Sequence, residues 1–126
     1  MSDARLALQA AVAVGAEEVV SADINRARGF LQRAEQALAL QQYDRARTGA
    51  VAAKRTALWA RKVAVGIREA ETQLGRARLA GLAVPDAAAA LLDARNAAKS
   101  GLSTQALEHA SRANQLAQGA LHRVGQ

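Results

Sequence analysis

Apolar positions recur along this chain at alternating steps of three and four. One run reads Leu6, Ala10, Ala13, Glu17, Val20, Ile24, Ala27, Leu31, Ala34, Leu38. A second reads Ala46, Ala50, Ala53, Ala57, Ala60, Ala64, Ile67, Glu71, Leu74. That spacing is the seam of two packed helices. The polar stretch Gln41-Gln42-Tyr43-Asp44 separates the runs and reads as a turn. Folding back there pairs Leu38 with Ala46, Ala34 with Ala50, Leu31 with Ala53 and Ala27 with Ala57. Continued, the same register pairs Ile24 with Ala60, Val20 with Ala64 and Ala10 with Leu74. Large residues then face small ones, as antiparallel helix packing favours. The first helix is expected to kink or restart. Gly15 costs about 1 kcal/mol inside a helix, and Ser21-Ala22-Asp23 offers a cap and an acidic first turn.

The second half repeats this theme at an offset of 60 residues. Ala27, Leu31, Ala34, Ala37, Ala46, Ala50, Ala53 and Ala57 recur as Ala87, Leu91, Ala94, Ala97, Ala106, Ala110, Ala113 and Ala117. Pro85 suits the first turn of a third helix, where no amide donor is missed. Gly101 is expected to end that helix, and Ser103-Thr104 to cap the last one, which runs to about His122. The expected fold is all-α and occupies a single domain, 1–126. A long antiparallel hairpin (1–81) and a shorter one (85–123) form an elongated three- to four-helix bundle. The short hairpin would pack on the end containing 1–20 and 60–80, leaving 25–57 as a two-helix stalk.

Composition narrows the picture. Hydrophobic residues make up 51% of the chain but aromatic ones only 2%, so alanine supplies most of the core. Each buried alanine removes little surface from water, and the fold must lean on helix propensity and close helix approach. Without cysteine, disulfides and thiolate chemistry are excluded. No apolar run approaches the roughly 18–20 residues that span a bilayer. Met1-Ser2-Asp3 leads straight into amphipathic helix rather than a signal peptide, so in an exported protein Met1 would replace a removed leader.

The segment "SDARLALQAAVAVGAEEVVSADINRARGFLQRAEQALALQQYDRARTGAVAAKRTALWARKVA" resembles a family of bacterial alanine-rich helical-hairpin domains of unknown function. These occur in small envelope lipoproteins, often beside OmpA-type domains. The shared pattern falls on Gly15-Ala16, Leu31, Ala34, Ala37, Tyr43, Ala46, Ala50 and Ala53. Ser21 stands where the family has proline, and Gln41-Gln42 where it has Gly-Asp. The resemblance implies a non-enzymatic protein of the bacterial cell envelope or periplasm, with no catalytic residues to transfer. A cytoplasmic location is the alternative.

Charge supplies the candidate chemistry. The net charge is +6. From Arg45 to Arg68 the chain carries seven basic residues and no acid, around its only tryptophan, Trp59. Arg47, Lys54, Arg61 and Arg68 recur every seven residues, with Arg55 and Lys62 beside them. Val51, Leu58 and Val65 form a neighbouring apolar row. The plainest reading is a solvated face, with Trp59 covering the alanine seam. Of two binding readings, one is a surface for a protein partner or a second copy of the chain, most simply a dimer. The other is a polyanion site, where the cations meet DNA phosphates or anionic lipid and Trp59 stacks or inserts. Across the hairpin, Glu17 would approach Arg68 and Asp23 would approach Arg61, quenching part of the field.

Nothing suggests an enzyme. His109 and His122 lack the convergent partners a metal needs. Glu69 and Glu71 point to different faces of a helix. Ser21, Ser103 and Thr104 read as caps, with no histidine and acid arranged to activate them. No phosphate-binding glycine loop occurs. No cofactor, metal or small-molecule substrate is expected.

Overall fold

The computed structural model describes residues 1–125, with Glu17 described as backbone only. Among the described residues six helices follow one another: α1 (Ser2–Ala13), the four-residue α2 (Ala16–Val19), α3 (Ser21–Ala39), α4 (Tyr43–Leu79), α5 (Pro85–Lys99) and α6 (Ser103–Val124). No strand occurs among the described residues. The fold is all-α, as the periodicity predicts. The chain divides into two compact units, Met1–Ala64 and Val65–Gln126. The 37-residue α4 contributes its first part to one and its last part to the other.

In the first unit, α3 and the start of α4 pack in the expected antiparallel register, except at the turn, where Leu38, expected against Ala46, is 47% exposed. Ala27 and Ala57 share one buried cluster. Gly49 lies so close to α3 that a Cβ there would sit 3.0 Å from the Ala34 Cβ and 3.2 Å from the Phe30 carbonyl oxygen. Ala34, Ala46, Ala53, Ala60 and Ala64 are buried along the same seam.

Before residue 20 the expected register fails. Leu6, a seam position in the sequence, is 62% exposed, and Ala13 is exposed too. The buried face of α1 is instead Ala4, Ala7 and Ala11. The cause is the break between α1 and α2. The amide of Gly15 bonds to the carbonyl of Val12, and Gly15 takes φ 80, which an L side chain resists. The chain reverses there, and the heptad phase is lost with it. α1 folds back onto α3 and α4, so Ala7 joins Ala27 and Ala57 in the core. Arg5 donates to Glu35 at 2.7 Å, and Lys54 lies 3.7 Å from Asp3. Residues 25–57 are therefore not a bare two-helix stalk, because α1 covers their seam. Ala10 and Leu74, paired in the expected register, belong to different units.

The second unit joins α5, α6 and the end of α4. All eight positions singled out by the 60-residue repeat are buried in it, from Ala87 to Ala117. A Cβ on Gly66 would meet Leu107 of α6 at 3.2 Å, and Arg95 of α5 pairs with Glu71 of α4 at 2.6 Å. Glu71 is thus a surface ion-pair partner, not a seam residue.

The repeat extends to the turns. After α3, the Gln42 amide bonds to the Ala37 carbonyl at 2.8 Å and the Gln41 amide to the Leu38 carbonyl at 3.0 Å. After α5, the Leu102 amide bonds to Ala97 at 2.9 Å and the Gly101 amide to Ala98 at 3.1 Å. Both are Schellman closures, which need a left-handed residue just past the helix. Gly101 supplies it at φ 76, and Gln41 at φ 60. Ser21 and Ser103 differ from expectation by one position: each opens its helix, behind Val20 and Leu102 at the N-cap. Neither N-cap residue makes a side-chain cap hydrogen bond.

Candidate interaction surface on α4

α4 places its basic and apolar residues by simple helical geometry. At about 3.6 residues per turn, Ala46, Ala53, Ala57, Ala60 and Ala64 fall on one side and are buried. Directly opposite fall Val51, Arg55, Leu58 and Lys62, with Arg47 and Trp59 on either flank. All six are exposed. Val51 is 51% exposed, Leu58 46% and Trp59 40%. The indole is therefore no cover for the alanine seam. It lies on the outer side with the Lys62 ammonium 5.2 Å from its ring centroid, within cation–π reach.

The structure sorts the sequence candidates into three places. Arg47, Val51, Arg55, Leu58, Trp59 and Lys62 come together as this outer face. Lys54 and Arg61 drift toward one edge, because a step of seven falls about 20° short of two full turns. At that edge Lys54 meets Asp3 of α1. Val65 and Arg68 belong to the second unit. Val65 is half-buried, so it does not continue the exposed row. Arg68 lines a polar groove of about 360 Å³ with Glu69, Thr72, Gln73, Asn114 and Gln118. The Asn114 Oδ1 is buried there without a hydrogen-bond partner.

The acids are as telling as the bases. Asp23 is buried and lies 3.7 Å from Arg26 on its own helix. The side chain of Glu17, expected near Arg68, lies outside the described residues. Among the described residues, no ion pair involves Arg47, Arg55, Arg61, Lys62 or Arg68. The positive field of the outer face is left standing, and at about 8–10 Å of Debye length neighbouring cations reinforce one another.

Sequence reasoning missed the groove at one end of this face. Met1 to Ala4 of the first turn, Leu38, and Tyr43, Ala46, Arg47, Ala50, Val51 and Lys54 of α4 enclose about 560 Å³. It exists because α1 folds back, which the heptad spacing did not convey. Arg47, Val51 and Lys54 belong to both groove and candidate set, so the groove continues the face.

Among the described residues no cluster of histidine, aspartate and glutamate could hold a metal ion. No helix is long and apolar enough to cross a membrane. No family model, curated protein or solved structure matches the chain.

Proposed function

We propose that this protein is a non-enzymatic interaction module that works through helix–helix contacts, receiving a protein partner on the outer face of α4. One observation carries the reading: opposite its buried alanine seam, α4 presents Val51, Leu58 and Trp59 to solvent, among cations without matching acids. A merely solvated face would carry both signs and few large apolar side chains. The groove beside Val51 adds a concavity. The resemblance to envelope helical hairpins supports a place in the bacterial cell envelope. Binding of DNA or anionic lipid through the same cations is the competing reading; the exposed apolar row weighs against DNA, since phosphate contacts make no use of Val51 or Leu58.

The reading is tested by placing a photo-crosslinking amino acid at Leu58 and, as a control, at the exposed Leu92 of α5. Discrete protein adducts, or a cross-linked dimer, are expected from position 58 alone. Adducts of equal yield at both positions, or none at 58, would contradict it.

A further inference from the structure

Resting on that reading, we infer that the partner element is an acidic amphipathic helix, lying along α4 with carboxylates opposite Arg47, Arg55 and Lys62. Charge complementarity is the first argument. Arg55 and Lys62 lie on the middle of the outer face and Arg47 on its flank, all three exposed and without ion pairs among the described residues. They are eight and seven residues apart, which is about 12 and 10 Å along the helix. A helix lying alongside matches that ladder with acids at steps of seven or eight. Val51 and Leu58 fill the intervals, so the partner needs apolar residues between its acids.

The chain itself supplies the template. α1 docks on the adjoining alanine seam, with Ala7 against Ala27 and Ala57, and at its border makes one contact of the kind required of the partner. It offers small apolar residues, Ala4, Ala7 and Ala11, and brings the Asp3 carboxylate 3.7 Å from Lys54. The edge of the cationic region thus holds a helix bearing an acid, and the rest of the region is open to another. Leu38, Tyr43 and Val51 stand exposed around the 560 Å³ groove at one end, which takes a large apolar anchor. Such anchors in pockets, ringed by charge, dominate helix-in-groove recognition.

Trp59, the only tryptophan, reports from within the face. The probe is a synthetic 22-residue helical peptide carrying Glu at positions matched to the three cations and Leu between them. It is titrated against the full chain while Trp59 emission is followed. Companion probes are the same peptide with Gln for Glu, a 20-base-pair DNA duplex, and vesicles containing one-third anionic lipid. The acidic peptide is expected to shift Trp59 emission and to bind at least tenfold more tightly than its Gln counterpart. The triple change Arg47→Glu, Arg55→Glu and Lys62→Glu is expected to abolish that preference, and a peptide with Lys for Glu to restore binding to the triple variant. Circular dichroism confirms the variant's fold.

If DNA or vesicles bind through these cations and the acidic peptide does not, the partner class is wrong although the face remains a binding surface. If the Gln peptide binds as well as the acidic one, the helix–helix reading survives and the acidic specification falls. Silence from every probe overturns both.

Discussion

Gln41 carries the clearest residue-scale strain in the molecule. It holds φ 60 at a turn where its repeat counterpart is glycine. A left-handed conformation costs an L-residue about 1–2 kcal/mol, partly offset because glycine loses more entropy on folding. Gln41→Gly is therefore expected to stabilise the protein by about 0.5–1 kcal/mol, raising Tm by about 2–4 °C at this size. Gly101→Ala is expected to destabilise it by a similar amount. Thermal denaturation followed at 222 nm measures both. An unchanged or lower Tm for Gln41→Gly would show that the two turns are not equivalent.

Among elements, the contrast lies between a helix face under pressure and one that is free. Gly49 lets α4 approach α3 to within van der Waals limits, so Gly49→Leu must drive the helices apart. Overpacking of that kind costs about 1–3 kcal/mol. Gly75, in the later part of α4, has nothing within 4 Å of where a Cβ would stand. Gly75→Ala is expected to stabilise by about 1 kcal/mol through helix propensity alone. Chemical denaturation of the two variants separates packing from propensity, and a neutral Gly49→Leu would refute the close approach.

The same elements show what the sequence could convey. Most seam positions from Val20 to Ala64 were legible because spacing inside an unbroken helix is rigid, but Leu38 is exposed. The duplicated α5–α6 hairpin was legible because eight apolar positions, seven alanines and one leucine, recur without a gap. The path of α1 was not. Its heptad phase runs smoothly into that of α3, and only the backbone at Gly15 decides that the chain reverses. Basic residues of α4 could be listed from the sequence, but their division between an outer face, an α1-facing edge and the second unit follows from helical drift and from that reversal. The groove beside Val51 had no sequence signal, since it is made by the returning first turn of α1.

For the whole molecule, the proposed binding rests on surface charge and stability on alanine seams. The two are separable. Arg47, Arg55 and Lys62 are exposed and unpaired among the described residues, so reversing all three is expected to change stability by less than about 1 kcal/mol. Thermal melts check this, and a large loss would mean that these cations support the fold itself. Trp59 stands partly in solvent within a positive field that no acid among the described residues offsets. Quenching of its fluorescence by iodide and by caesium at low ionic strength tests this most directly. Stronger quenching by iodide than by caesium is expected, with the difference collapsing when Arg55 and Lys62 become Glu. Equal quenching by the two ions, or protection from both, would contradict it.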